Sequence, residues 1–292
     1  MAEKIVCPIC WSAKNKFYCE KNKYKLYHCL ACGLVFVYPT PSGLEDIYNK
    51  EYFKNESGGG NFGYSDYDQD KEPMREIFVA YIKKIENLTA GRNIFDIGAA
   101  TGYFLNLVKE RGWQTAGAEI SGYATAIAEK RGHEIFCGRF PEAKIEKKFD
   151  AITMWNVLEH LDNPHEYLRA ANRILAEDNG WLVVNTINRE SAWAKILGKR
   201  WHLLVPPEHL FYYSPKSLKI LFGENGFGIR EIKKVGKIFS PSYIFGILYH
   251  WQKLKIWADL SKFFDRPSWR KLSLPINLGD NILIIAKKIK NV

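Results

Sequence analysis

Residues 93–105 constrain the fold of this chain more than any other segment. They read Asn-Ile-Phe-Asp-Ile-Gly-Ala-Ala-Thr-Gly-Tyr-Phe-Leu, an apolar run that contains an acid and continues into a glycine-spaced turn. The run at 94–97 predicts a buried parallel strand, and the spacing from Tyr103 onward predicts a helix. Gly98 and Gly102 therefore lie where a strand turns into a helix, so a ligand can approach bare backbone beside the helix N-terminus.

The residues of this turn, and an acid at the end of the next predicted strand, indicate which type of ligand can bind there. A dinucleotide-binding turn needs glycine at two positions that hold Ala100 and Tyr103 here, which excludes a hydride-transfer loop of that kind. A second short strand pattern, at 114–119, ends in Glu119, which follows Asp96 by 23 residues. An acid at the tip of the second strand can accept hydrogen bonds from both hydroxyls of a ribose.

The pattern Asp-x-Gly-x-x-x-Gly with this later acid resembles the first motif of class I S-adenosylmethionine-dependent methyltransferases. Residues 149–161 add a fourth-strand pattern followed by the Glu-His pair common in that family, and Asn163-Pro164 opens an amphipathic helix. The resemblance extends over residues 75–290. It implies an α/β, Rossmann-like methyltransferase fold, with a mostly parallel seven-stranded sheet whose last strand is antiparallel.

The resemblance also implies the cofactor, S-adenosylmethionine, and the residues that hold it. In this family the glycine turn cradles the cofactor, the acid of the second strand holds the ribose, and the tip of the fourth strand faces cofactor and acceptor. The implied cofactor-binding residues are Asp96, Gly98, Ala99, Gly102, Glu119, Ile120, Phe140, Trp155 and Asn156.

Two histidines are candidates for proton transfer, because the unperturbed pKa of histidine lies near neutrality. His160 belongs to the Glu-His pair, and a purely structural role at a helix start is the alternative. His209 lies in a late loop that we expect to cover the acceptor. Quinone-type relatives hold a metal with Glu-x-x-Glu-His; here Asn156 replaces the first carboxylate, so we expect no catalytic divalent metal.

Four of the six cysteines form two Cys-x2-Cys pairs separated by 18 residues. Cys7, Cys10, Cys29 and Cys32 therefore predict a four-thiolate zinc site, with redox-active disulfides as the alternative. A module of about forty residues cannot stabilise itself by burial alone, so a structural metal would organise it. Residues 1–40 are predicted to form this zinc ribbon.

The rest of the chain divides into a connector and a catalytic domain. Residues 41–72 form the connector, whose glycine-rich part at 57–63 is either a lid or a disordered linker. Residues 73–292 form the methyltransferase domain. Its insertion at 237–272 has seven basic residues, two acids and apolar residues at helical spacing. A basic amphipathic helix of this type can lie on an anionic membrane, but a lid or dimer interface is the favoured reading.

The composition of the chain limits the classes of binding partner and the cellular location, but it does not identify a partner. The formal charge of +10 fits an anionic partner or a lysine-rich surface. No apolar stretch reaches the length of a spanning helix and the N-terminus lacks a signal-peptide pattern, so a cytoplasmic protein is expected, with any peripheral membrane contact at the inner face through 237–272. The sequence leaves the oligomeric state open.

The expected reaction is in-line methyl transfer to an oxygen of a sugar, glycan or glycolipid intermediate, with a histidine as general base. This acceptor class is implied by resemblance, because a Cys-x2-Cys pair module precedes the same core in methyltransferases of bacterial surface-polysaccharide and nucleotide-sugar pathways. One alternative is an RNA methyltransferase that uses the ribbon and the basic surface. Another is a non-catalytic zinc-ribbon interaction protein.

Overall fold

A computed structural model describes residues 5–54, 67–266, 268, 269, 272 and 274–289. The strands are β1 (Asn15–Lys21), β2 (Tyr24–Cys29), β3 (Val35–Val37), β4 (Asn93–Ile97), β5 (Gln114–Glu119), β6 (Glu134–Cys137), β7 (Ala151–Trp155), β8 (Trp181–Ile187), β9 (Phe211–Tyr212), β10 (Phe227–Phe239) and β11 (Leu274–Lys288). The α-helices are α1 (Lys50–Phe53), α2 (Tyr67–Lys71), α3 (Arg75–Glu86), α4 (Tyr103–Lys109), α5 (Gly122–Lys130), α6 (Pro164–Ile174), α7 (Ala192–Leu197), α8 (Pro215–Glu224), α9 (Pro241–Gln252) and α10 (Lys255–Phe264).

The central sheet has seven strands in the order β10-β11-β8-β7-β4-β5-β6. Strand β11 pairs antiparallel with both of its neighbours, and the pairs among β8, β7, β4, β5 and β6 are parallel. This confirms the predicted sheet with its antiparallel last strand. The carboxyl ends of parallel strands meet at one edge, so the tips of β4, β5 and β7 lie side by side there.

Helices cover both faces of this sheet, which explains why β4 is buried over nearly its whole length. On one face, Phe78 and Ile82 of α3 pack with Phe104 of α4. On the other face, α6 and α8 contribute Leu168 and Leu218 to the larger core. Helix α6 begins as predicted, with the Asn163 side chain accepting from the backbone N–H of Glu166 and proline at the first helical position.

The N-terminal sheet takes one of its strands from the catalytic part of the chain. Its order is β1-β2-β3-β9, with Val35 of β3 opposite Tyr212 of β9. The hydroxyl of Ser214 donates to the carbonyl of Cys32 at 2.6 Å, and the Arg189 guanidinium donates to the carbonyl of Gly33 at 2.9 Å. The sequence does not reveal this shared sheet, because β9 is only two residues long.

The insertion folds as a helical hairpin of α9 and α10 rather than as one continuous helix, and its role as a lid, an interface or a membrane contact stays a prediction. Lys253 has a left-handed φ of 55°, which ends α9 and lets α10 fold back. The ring of Phe245 stacks on Trp257 at 5.9 Å and on Phe264 at 5.4 Å, inside the hairpin. No described helix is both long and apolar enough to cross a membrane. The glycine-rich stretch at 57–63 lies outside the described residues.

Candidate active site

A continuous cleft of about 2110 Å³ opens at the carboxyl edge of the parallel strands. Small-molecule sites usually occupy about 300–1,000 Å³, so this cleft has room for a cofactor and an acceptor together. Of the residues predicted from the sequence, those that line it are Asp96, Gly98, Ala99, Glu119, Ile120, Phe140, Trp155, Asn156, His160 and His209. Gly102 is not among the lining residues.

The glycine turn has left-handed backbone at three alternate positions, with φ of 74° at Gly98, 50° at Ala100 and 79° at Gly102. A Cβ on Gly98 would lie 2.4 Å from Cγ2 of Val157, so a side chain there would crowd the strand tip. A Cβ on Gly102 would lie 2.8 Å from Cδ2 of His133. Gly98 therefore leaves the backbone of the cleft wall uncovered, whereas Gly102 lets His133 pack closely against the turn.

Glu119 is buried at the tip of β5. Its Oε2 accepts from the backbone N–H of Ala100 at 2.8 Å, and its Oε1 accepts from that of Ser121 at 2.9 Å. Burial raises the pKa of this carboxyl, while the hydrogen bonds from Ser121 and Ala100 act in the opposite direction. A carboxylate oxygen has two lone pairs, so both oxygens can still accept from ribose hydroxyls.

Asp96 is buried at β4 beside this acid, and Thr153 of the neighbouring strand donates to its Oδ1 at 2.5 Å. Burial raises the pKa of Asp96 well above its ordinary value, the Thr153 hydrogen bond opposes this, and the negative charge of Glu119 adds to it. A cationic ligand in the cleft would favour the ionised forms of both acids. Thr153 is not among the residues predicted from the sequence, and the parallel register of β4 and β7 places it opposite Asp96.

Trp155 and Asn156 follow at the tip of β7. The indole of Trp155 stacks on Tyr81 with centroids 5.3 Å apart, and its N–H is buried with no hydrogen-bond partner in the described part of the chain. Asn156 has a left-handed φ of 54°, and its amide donates to Glu159 and to Asn281, each at 3.2 Å. An unsatisfied buried donor on a cleft wall is suited to a ligand acceptor atom.

The structure brings the two candidate histidines together, with ring centroids 4.7 Å apart. Nδ1 of His160 lies 2.7 Å from the carbonyl of Glu208 and 3.0 Å from the hydroxyl of Tyr48. A carbonyl can only accept, so Nδ1 carries the hydrogen and Nε2 carries the basic lone pair of the neutral ring. Nδ1 of His209 donates to the carbonyl of Leu203 at 2.8 Å, which sets the same tautomer.

A buried carboxylate completes this cluster. One oxygen of Glu159 and one ring nitrogen from each of His160 and His209 all lie within 4.8 Å of one another. Oε2 of Glu159 also accepts from the hydroxyl of Thr186 at 2.7 Å. A carboxylate next to two imidazoles stabilises an imidazolium, and the same donor set is compatible with a divalent cation. The absence of a catalytic metal remains a prediction.

The connector supplies the opposite wall of the cleft with aromatic side chains. Tyr52 donates its hydroxyl to Oε1 of Glu208 at 3.1 Å, and Phe53 packs with Ala100 of the glycine turn. Lys71 also lines the cleft, and burial lowers its pKa to about 8. The sequence shows these aromatics, but it does not assign them to the site, because their position depends on how the connector folds back.

The four paired cysteines also converge. Sγ of Cys7 lies 3.7 Å from that of Cys32, Sγ of Cys10 lies 3.5 Å from that of Cys29, and all four sulfurs lie within 4.8 Å of one another. A tetrahedral zinc site with Zn–S distances near 2.3 Å has S···S edges of about 3.8 Å. The cluster therefore fits the geometry of a four-thiolate metal site.

The fold and the cleft define a class I S-adenosylmethionine-dependent methyltransferase. A family model described as a methyltransferase domain matches residues 70–232, more than half of the chain, so the chain belongs to this family. It is similar to the ubiquinone biosynthesis O-methyltransferase of Glaesserella parasuis, with 29% identity over 189 residues, 58% of this chain and 77% of that protein. The Nitrosospira multiformis enzyme of the same name is 24% identical over 196 residues, 60% and 79% of the two chains.

Solved structures show the same fold at lower sequence identity. The YcgJ protein of Bacillus subtilis has a TM-score of 0.52 and 15% identity, covering 74% of this chain and 100% of that one. Magnesium protoporphyrin IX methyltransferase of Synechocystis, solved with bound SAH, has a TM-score of 0.51 and 13% identity, covering 83% and 97%. At these low sequence identities, the similarity shows that the proteins share a fold and nothing more.

Proposed function

We propose that this methyltransferase methylates an oxygen of a sugar, glycan or glycolipid intermediate. The observation that carries the proposal is the single cleft that joins the glycine turn and Glu119 to His160 and His209. S-adenosylmethionine supplies a methyl group already activated by its sulfonium. The residues of this chain therefore need to hold the cofactor, align the acceptor and accept one proton.

Cofactor binding is assigned to the tips of β4, β5 and β7. The bare backbone at Gly98 lets a ligand lie against the turn, and Glu119 accepts from the ribose hydroxyls. Asp96 lies close to Glu119, and a cationic ligand would favour the ionised forms of both acids. The buried indole N–H of Trp155 offers a donor that no described residue uses.

Proton transfer is assigned to Nε2 of His160. The carbonyl of Glu208 and the hydroxyl of Tyr48 hold the ring through Nδ1, so Nε2 is the atom that accepts the hydroxyl proton. The buried carboxylate of Glu159 stabilises the resulting imidazolium. His209 lies beside His160 and is the second candidate for this task.

Methylation of oxygen is supported by the relatives, several of which are named O-methyltransferases. The sugar-type acceptor is supported by the size of the cleft and by the paired-cysteine module in front of the catalytic core. A phenolic acceptor is a second candidate, because the relatives are named for ubiquinone biosynthesis and because Tyr48, Tyr52 and Trp155 line the cleft.

We also propose that the four-cysteine cluster holds one structural zinc ion.

Turnover with radiolabelled S-adenosylmethionine tests this function on three acceptor panels: nucleotide-linked sugars, catechols and transfer RNA. We expect label on a sugar hydroxyl. His160→Asn should lower kcat by about 10²–10⁴-fold, the usual contribution of a general base, while leaving S-adenosylhomocysteine affinity unchanged. Label on catechols alone would favour the phenolic acceptor, and label on RNA alone would contradict both.

A further inference from the structure

The turn between β1 and β2 forms part of the cleft wall. Lys21 and Lys23 of this turn line the cleft together with Arg200, which follows α7. The amide of Asn22 donates to the carbonyl of Pro206 at 2.8 Å, which fixes the turn against the loop that also carries His209. The N-terminal module therefore contributes side chains to the same cavity as the candidate base.

These three side chains bring positive charge to the cleft wall, with Lys21 half-buried and Lys23 and Arg200 exposed. Among the described residues, Lys21, Lys23 and Arg200 form no ion pair. Lys21 is half-buried, and burial lowers its pKa. Lys199 and Lys21 both lower the pKa of Cys19 against the larger effect of burial, so these two cations lie near the same thiol. A desolvated cation without a counter-ion is unfavourable until an anion binds.

The turn also carries backbone strain at one of these cations. Asn22 and Lys23 have φ of 50° and 69°, which is the conformation of a two-residue type I′ hairpin turn. Asparagine suits its first position, and glycine is preferred at the second, where Lys23 stands. A lysine in this left-handed position costs stability relative to glycine and places an ammonium group at the cleft.

We propose that Lys21, Lys23 and Arg200 form a subsite for a phosphate or diphosphate ester on the acceptor. The inference rests on the proposed function and narrows its acceptor to a phosphorylated sugar. A diphosphate is common to nucleotide-linked and lipid-linked sugars, and the subsite recognises the part that they share. The N-terminal module then helps to select the acceptor, in addition to stabilising the fold.

Calorimetric titration of inorganic pyrophosphate into the full-length protein, saturated with S-adenosylhomocysteine, tests the subsite. We expect one saturable site, which Lys21→Gln and Arg200→Gln each weaken about tenfold through the loss of a charged contact. Lys25→Gln makes the same charge change on an exposed residue of the same hairpin, outside the cleft, and should change affinity less than about twofold. An equal loss in Lys25→Gln would overturn the proposal.

Lys23→Gly separates a binding role from a structural one, because the two predict opposite results. Glycine relieves the left-handed strain, so the melting temperature should stay the same or rise while pyrophosphate affinity falls about tenfold. Retained affinity in this variant contradicts the proposal.

Two further ligands identify the source of the diphosphate. Uridine diphosphate and geranylgeranyl diphosphate should both compete with pyrophosphate. Tighter binding of uridine diphosphate would indicate a nucleotide carrier, and tighter binding of geranylgeranyl diphosphate would indicate a lipid carrier. Competition by neither, or displacement only by single-stranded RNA with a steep salt dependence, overturns the subsite. A wild-type protein that binds no S-adenosylhomocysteine would instead refute the proposed function.

Discussion

Asp96 and Glu119 are acids buried at adjacent strand tips, and burial raises the pKa of both. A group whose folded pKa is raised stabilises the fold at low pH and loses that contribution as the pH rises through the folded pKa. The ionised pair is therefore unfavourable in the ligand-free protein. A cationic cofactor bound beside these acids, as we propose, would compensate for this cost, and cofactor binding would then be linked to their ionisation.

This linkage predicts that the ligand-free protein loses stability as the pH rises from the ordinary carboxyl pKa through the raised values. Asp96→Asn should flatten that dependence in denaturant titrations at a series of pH values. Binding of S-adenosylmethionine should release protons, seen as different apparent enthalpies in buffers of different ionisation enthalpy. Proton uptake, or a pH dependence unchanged by Asp96→Asn, would show that these acids do not behave as described.

Glu119 also gives a direct test of the ribose site. Each charged hydrogen bond is worth about 1.5–3 kcal/mol, so Glu119→Ala should weaken S-adenosylhomocysteine binding by about tenfold or more in calorimetry. Glu119→Gln keeps the shape of the side chain and one acceptor oxygen, so this variant should lose less affinity for S-adenosylhomocysteine than Glu119→Ala. If both variants bind as tightly as the wild type, the ribose lies elsewhere.

Among the elements, the N-terminal sheet carries the four-cysteine cluster, and the zinc ion that we propose there would join the turn at 7–10 to the turn at 29–32. Elemental analysis should find one zinc per chain, and Cys7→Ser with Cys10→Ser should remove it and lower the melting temperature. Cys137→Ser is the matched control, since Cys137 is exposed and outside the cluster. Zinc retained in the double variant would exclude this site.

The helical hairpin of α9 and α10 has one face toward the cleft and one toward solvent. Gly246 and Phe264 line the cleft, whereas Ile256 is 60% exposed. We expect the hairpin to act as a lid, so Phe264→Ser should change KM for the acceptor without changing S-adenosylhomocysteine affinity. Ile256→Ser should leave KM unchanged. If the protein binds anionic vesicles in a salt-sensitive way and Ile256→Ser weakens that binding, the hairpin docks on membranes instead.

At the scale of the whole molecule, the N-terminal sheet and the catalytic domain share a strand and a hydrophobic core. Phe36 of β3 and Phe211 of β9 are both buried in the same cluster as core residues of α6 and α8. Separate unfolding of the N-terminal module would leave β9 unpaired and expose those aromatics to water.

We therefore expect the protein to melt in a single cooperative transition. Removal of zinc with a chelator should lower the temperature of that transition without creating a second one. Scanning calorimetry in the presence and absence of chelator measures this. Two resolved transitions, with the lower one alone sensitive to zinc, would show that the N-terminal module is energetically independent.

Much of this architecture could be predicted because it depends on local patterns. The apolar run of β4, the glycine spacing after it and the cap at Asn163 each specify an element through residues close in sequence. The Cys-x2-Cys spacing likewise brings the cysteines together in pairs. Lys253 is an exception, because its left-handed conformation interrupts a helical pattern that continues through it.

Local patterns in the sequence are enough to predict the order of strands and helices, the acids at the strand tips and the paired cysteines, since periodicity and turn chemistry act over a few residues. Other contacts depend on the tertiary fold: Thr153 donates to Asp96, Tyr48 and the Glu208 carbonyl orient His160, and the β1–β2 turn lines the cleft. These contacts join segments 48 to 184 residues apart. Their geometry follows from sheet register and from burial of the shared core, which no local pattern encodes.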